Sequence, residues 1–195
     1  MNLIVISELF PPEETSTAYI MGEITKTLSD KYNVTIVCGP EVYDQNKLTV
    51  LPKSSLIAGV TTIRVKGIKE NKANKLSRIR KFLLMSWRLY KASKKVINKG
   101  DKVLLVSNPF PLLILMAFHR KKMDYEISFL AHDLFPEPLL MRFKLPNLVY
   151  RQCLNIFNRS YARMDKIISL GRDMTDVLRE KTMPYNPNLE IMVYG

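Results

Sequence analysis

The stretch Ala131-His132-Asp133-Leu134-Phe135-Pro136-Glu137-Pro138 gathers an imidazole and two carboxylates in one short segment. Such a set can move protons or recognise hydroxyl groups. A His-Asp pair also occurs as ordinary structural polarity, so the position of the segment in the fold has to decide. A metal site is not expected, because His119 is the only other histidine and lies in His119-Arg120-Lys121-Lys122, which reads as a solvated helix end. Cys38 and Cys153 show neither metal-ligand spacing nor a disulfide framework. They read as buried free thiols and fit a reducing, cytoplasmic setting.

The second candidate is Ser7-Glu8-Leu9-Phe10-Pro11-Pro12-Glu13-Glu14-Thr15-Ser16-Thr17, which follows the apolar run Leu3–Ile6. It stands where a nucleotide-binding protein carries a glycine-rich phosphate loop, yet the first glycine is Gly22. Neither GxGxxG nor GxxxxGK[ST] is present, which argues against NAD, FAD and P-loop chemistry, since those loops need glycine to bring backbone against a pyrophosphate. Thr15, Ser16 or Thr17 can cap the helix that follows and leave its first amides facing an anion. The alternative is a rigid, proline-fixed turn with a good cap. A third stretch, Ser107-Asn108-Pro109-Phe110-Pro111, has no titratable group and reads as a packed turn.

The elements around these stretches alternate. Apolar, β-branched runs predict strands at Leu3–Ser7, Val34–Cys38, Thr61–Val65, Lys102–Val106, Glu126–Leu130, Lys166–Leu170 and Leu189–Val193. Helical spacing predicts helices at Thr17–Lys31, Lys72–Lys99, Leu112–Arg120, Leu148–Arg163 and Arg172–Lys181, with a long irregular connection over Glu41–Ala58. In Lys72–Lys99, Leu76, Ile79, Leu83, Trp87, Tyr90 and Ile97 fall near one face, so Trp87 and Tyr90 are expected in the core. At 195 residues the chain has room for one domain. The expected fold is α/β: a Rossmann-like, doubly wound parallel sheet with helices on both faces. Ligands of such sheets bind at the carboxyl ends of strands. That rule selects Glu8–Thr17, Ser107–Pro111 and Ala131–Pro138.

Charge is strongly localised. Twelve of the 30 basic residues lie between Lys66 and Lys99, against one acid, Glu70. A solvated helix face normally mixes signs. A nucleic-acid site lacks any fold signature or aromatic platform and is not expected. An anionic membrane surface suits the charge, with Lys72, Lys75, Arg78, Lys81, Arg88, Lys91, Lys94 and Lys95 as the contacts. No apolar run approaches the ~20 residues of a membrane span.

The loops together resemble the start of family 4 glycosyltransferases of the GT-B fold. LIVISELFPPE followed by LSDKYNVTIVCG is similar to that family's first strand, Phe-Pro-Pro-Glu loop, helix and second strand. SNPFPLL resembles its Ser-Pro-Pro-Leu turn, HDLFPE its Asp-Leu-Trp-Pro-Glu segment, and IISLGRDMTDVLREK its Ser-x-x-Met-x-x-x-Leu strand and helix. Two departures stand out: Thr15-Ser16 replaces a common Gly-Gly, and the family continues into a second, donor-binding domain with a Glu-x7-Glu motif. The resemblance implies an acceptor-binding domain, residues 1–195, in a retaining hexosyltransferase of cell-surface polysaccharide synthesis. Its co-substrate is a nucleotide-sugar, with no cofactor held by this domain, and its acceptor is lipid-linked or polysaccharide. It implies a site of His132 and Asp133 at the reacting sugars, with Glu13, Thr15, Ser16, Thr17, Asn108 and Glu137 lining or orienting it. The expected location is peripheral, on the cytoplasmic face of the plasma membrane. A chain of this kind is expected to be inactive without a donor domain, and the alternative is a non-catalytic membrane-associated subunit that pairs with a separate donor-binding chain.

Overall fold

The computed structural model describes residues 1–41, 57–69, 74–137 and 146–194. Most of the connection expected at Glu41–Ala58 lies outside these residues, as do Lys72 and Pro138. The elements in chain order are β1 (Asn2–Ser7), α1 (Ser16–Ser29), β2 (Asn33–Cys38), β3 (Thr61–Arg64), α2 (Lys75–Ser93), β4 (Lys102–Val106), α3 (Pro111–Arg120), β5 (Glu126–Ala131), α4 (Asn147–Tyr161), β6 (Lys166–Ser169), α5 (Arg172–Thr182) and β7 (Glu190–Val193). They form a seven-stranded sheet in the order β3-β2-β1-β4-β5-β6-β7. Every pairing is parallel. The fold is therefore the Rossmann-like doubly wound sheet that the alternation of elements predicts.

Parallel strands buried on both faces carry continuous apolar runs rather than alternating ones. Ile4, Ile6, Val103, Leu105, Ile127 and Phe129 face α2 to α5 through Met85, Leu89, Leu112, Met116, Phe157 and Leu178. Leu3, Val5, Val34, Ile36, Leu104 and Leu130 face the other way, where α1 supplies Met21 and the first loop supplies Phe10. Full burial of each such side chain contributes about 1.5–3 kcal/mol. The two faces are covered unequally. Beside α1 a cavity of about 690 Å³ lies open over Leu104, Leu130 and Ile168.

Helix α2 corrects the sequence reading. Its buried face is Lys81, Met85, Ser86, Leu89 and Ser93. The residues expected to be core point outward: Leu76 is 75% exposed, Leu83 54% and Trp87 47%. Tyr90 is half-buried and only Ile97, past the helix end, is enclosed. The helix carries apolar residues on two faces, and periodicity alone picks the wrong one. Lys81, expected on a membrane surface, is 4% exposed and belongs to the protein interior.

Two glycines hold the first loop against its neighbours. A Cβ at Gly39 would meet the Glu8 carbonyl oxygen at 2.4 Å, and one at Gly22 would meet Pro11 Cγ at 2.7 Å. Gly22, the first glycine of the chain, makes room for a proline rather than for a phosphate. Gly39→Ala is expected to destabilise the fold by about 1–3 kcal/mol through forced backbone displacement. Gly171, where an added Cβ meets nothing within 4 Å, serves as control. Urea denaturation should separate the two variants, and equal midpoints would show that the first loop is not clamped.

Candidate functional site

The three loops selected from sequence lie side by side, because β1, β4 and β5 are neighbours in the sheet. Each contains one cis proline peptide: Pro11-Pro12, Asn108-Pro109 and Phe135-Pro136. Hydrogen bonds join them. Glu8 N–H donates to Asn108 O at 3.4 Å. Ser107 Oγ accepts from the N–H groups of His132 and Asp133 at 3.2 and 3.3 Å. Beneath them Phe110 packs against Phe82 of α2, Phe135 of the third loop and Phe157 of α4, with ring centroids 5.3, 5.0 and 6.1 Å apart. The turn that read as packing is the keystone between two loops that read as chemistry.

In the first loop, Thr15 is the helix cap: its Oγ1 accepts from Ala18 N–H at 3.2 Å. Ser16 and Thr17 open α1, with Ser16 exposed and Thr17 and Glu13 half-buried. Arg64, at the end of β3, was not singled out from sequence. Its guanidinium donates to Pro11 O and, at 3.4 Å, to Gly39 O. It also lies 3.9 Å from Glu41. A lone arginine ending a short strand gives no sequence signal, because its partners are carbonyls supplied by two other loops.

In the third loop, Asp133 is exposed and His132 half-buried. Burial pushes the His132 imidazole below its ordinary pKa, against the opposing pull of the Asp133 carboxylate. The ring is therefore neutral at pH 7. His132 Nε2 is enclosed with no hydrogen-bond partner among the described residues, which is costly unless a ligand or water completes it. The loop is pinned behind this point. Tyr161 hydroxyl accepts from Phe135 N–H at 3.0 Å and donates to Phe135 O at 3.2 Å. Glu137 Oε1 pairs with Lys181 of α5, whose side chain is nearly buried. Glu137 thus serves to hold the loop against α5, while Asn108, half-buried, stands at the seam between the first two loops.

Two smaller expectations, on His119 and Cys153, are corrected. His119 is buried at 6% exposure, not solvated, with Nδ1 3.2 Å from the Tyr125 hydroxyl. Burial, then Lys94 and Lys122, lowers its pKa. Cys38 is buried and its thiol is pushed up to about 11 by that burial, which removes it as a nucleophile. Cys153 is only partly buried. Among the described residues no three His, Cys, Asp or Glu side chains converge on a point suited to a metal ion.

No family model matches the chain. Over 185 residues it is 24% identical to a probable glycosyltransferase, WbjE of Pseudomonas aeruginosa, covering 92% of this chain and 44% of that protein. The fold is similar to the N-terminal domain of a Candida albicans trehalose-6-phosphate phosphatase, with TM-score 0.63 and 11% identity over 98% of this chain and 47% of that one. It is similar also to an E. coli trehalose-6-phosphate structure bound with UDP-2-fluoro glucose, with TM-score 0.60 and 14% identity over all of this chain and 48% of that one. A UDP-forming α,α-trehalose-phosphate synthase of Burkholderia vietnamiensis gives TM-score 0.57 at 10% identity, over 100% of this chain and 47% of that one. The sheet matches the fold of GT-B glycosyltransferases. Sequence similarity of the chain is to a glycosyltransferase, and the chain spans less than half the length of each of these proteins.

Ser107→Ala is expected to cost about 1–3 kcal/mol in urea denaturation, since it leaves the His132 and Asp133 amides without their acceptor. An unchanged midpoint would mean that the second loop does not hold the third. Buried neutral histidines also fix a direction with pH. The unfolded chain protonates His132 and His119 at about 6.5, the folded chain only at lower pH. Between these values the unfolded state binds more protons, so stability contributed by these groups is complete above about 6.5 and is lost as pH falls. Ring-proton NMR of the folded chain should give both midpoints below 6.5. A midpoint above that value for either ring would contradict its burial.

Proposed function

We propose that this chain is the acceptor-side domain of a glycosyltransferase that moves a hexose from a nucleotide-sugar to a glycan acceptor, lipid-linked or polymeric. One observation carries the reading: an enclosed, unpartnered imidazole nitrogen on His132, at the carboxyl edge of a GT-B-like sheet. A neutral imidazole accepts a hydrogen bond, and a small shift of the half-buried His132 side chain offers this nitrogen to an acceptor hydroxyl. Asp133, exposed beside it, takes a second hydroxyl. Glu13, Thr15, Ser16, Thr17 and Asn108 form the adjoining wall. Glu137 acts through Lys181 as a positioning group. The similarity to WbjE supports the reaction class.

In this reading the donor is held mainly by a second domain, on a longer chain or on a separate subunit. In a retaining transfer the leaving phosphate itself takes the acceptor proton, so His132 and Asp133 orient the acceptor rather than attack. The setting proposed is cell-surface polysaccharide synthesis at the cytoplasmic side of a membrane.

Saturation-transfer NMR with octyl glycosides tests the acceptor site directly. The 195-residue chain should bind an octyl hexoside, and His132→Ala should weaken that binding by about tenfold, the worth of one good hydrogen bond. The same chain, given UDP-hexoses, should release no UDP at a catalytic rate. Turnover by the chain alone, or hexoside binding indifferent to His132, would overturn the assignment.

A further inference from the structure

The outward face of α2 has a composition that solvent exposure does not explain. Leu76, Ile79, Leu83, Leu84 and Trp87 are all exposed along its first four turns, with exposed Arg80 among them. The end of the helix and the turn after it add Arg88, Lys91, Lys94 and Lys95, and the whole helix contains no acid. Apolar and basic side chains thus share one exposed arc, with the cations densest at its carboxyl end. At the basic end a concavity of about 630 Å³ opens between α2 and the segment after β3, lined by Lys66, Arg88, Lys91, Lys94 and Lys95 with Val65 and Ala92. Among the described residues no acidic side chain lines it. Arg88 is fixed there by hydrogen bonds to Lys66 O at 2.7 Å and Gly67 O at 2.9 Å. Lys91 stands over the Trp87 ring at 5.5 Å, joining the two halves.

We infer that this face docks on an anionic lipid bilayer, with Leu76, Leu83, Leu84 and Trp87 entering the acyl boundary and the basic concavity taking lipid phosphates. An exposed apolar stripe edged by cations and without acids is the composition of helices that lie in a membrane interface. Indole is favoured at that depth, where one side is apolar and the other wet. Charge complementarity selects the anionic bilayer over a second copy of this chain: a face with Arg88 and Lys91 in its last two turns, Lys94 at the cap and Lys95 just beyond repels its own kind. The surface keeps Arg88, Lys91, Lys94 and Lys95 of the contacts expected from sequence and changes the rest. Lys81 is interior, whereas the apolar residues assigned to the core are the part that inserts.

The chain contains a single tryptophan, Trp87, so its fluorescence reports this face alone. With vesicles of phosphatidylglycerol and phosphatidylcholine the emission should shift to the blue and acrylamide quenching should fall, with co-sedimentation reversed by salt. Phosphatidylcholine vesicles should give neither effect, and inorganic phosphate should produce no blue shift. Lys91→Glu/Lys94→Glu/Lys95→Glu should lose about tenfold or more of vesicle affinity. Leu76→Ser/Leu83→Ser should abolish the blue shift while keeping salt-sensitive binding, at unchanged circular dichroism. Vesicle binding without any change at Trp87 would place the contact elsewhere and overturn the inference. So would equal binding to neutral vesicles, or a dimer in which Trp87 is already shielded from acrylamide before lipid is added.

Discussion

A parallel strand cannot be reached by a hairpin, and this one constraint organises the molecule. Each of the six pairings in the sheet is parallel, so each connection must cross back over a face before the next strand begins. The chain therefore leaves every strand at the same edge. Loops that are far apart in sequence, at residues 8–15, 107–110 and 132–137, become neighbours there without any affinity of their own. The crossovers also decide which face is thick. Right-handed connections from β3 onward place α2 to α5 on one side, and α1 alone is described on the other.

Once gathered, the loops are held by two kinds of interaction with different roles. The rings around Phe110 supply packing: each aromatic contact adds about 0.5–1.5 kcal/mol beyond simple burial. The two hydrogen bonds of the Ser107 hydroxyl, worth about 0.5–1.5 kcal/mol each net, tie the amides of His132 and Asp133 to the second loop. Packing keeps the loops together, and the hydroxyl fixes the third to the second. Tyr161 and the Glu137–Lys181 pair brace the third loop, in which His132 Nε2 and Glu137 Oε2 remain enclosed without a hydrogen-bond partner among the described residues.

The sheet was legible in the sequence because buried parallel strands have to be apolar on both faces, and runs such as Leu3–Ile6 and Val103–Val106 admit few other readings. The three loops followed from the rule that ligands of such sheets bind at the carboxyl ends of strands. What resisted reading was side-chain partnership. His119 looked solvated because three basic residues follow it, but the Tyr125 hydroxyl and Tyr90 ring that enclose it come from other segments. Arg64 gave no signal because backbone carbonyls, which every residue has, are its partners. Helix α2 misled for a different reason. Its sequence holds two apolar faces, and only the one with small Ser86 and Ser93 can approach the sheet closely. Hydrophobicity marks what could be buried, while side-chain volume and the neighbouring helix decide what is.

The same parallelism has an electrostatic side. Strands and their crossover helices run in opposite directions, so α1 to α5 all point their amino ends toward the edge that bears the loops. Each helix presents about half a positive elementary charge there from aligned peptide dipoles. The first turns of α1, α2, α3 and α4 contain no acid to cancel it. The acids lie in the loops instead, as Glu8, Glu13, Glu14, Asp133 and Glu137. The edge is thus an array of fixed backbone dipoles overlaid by carboxylates that protons, ligands or neighbours can neutralise. Negative charge arriving or developing there meets a field built into the main chain, one that no side-chain substitution removes.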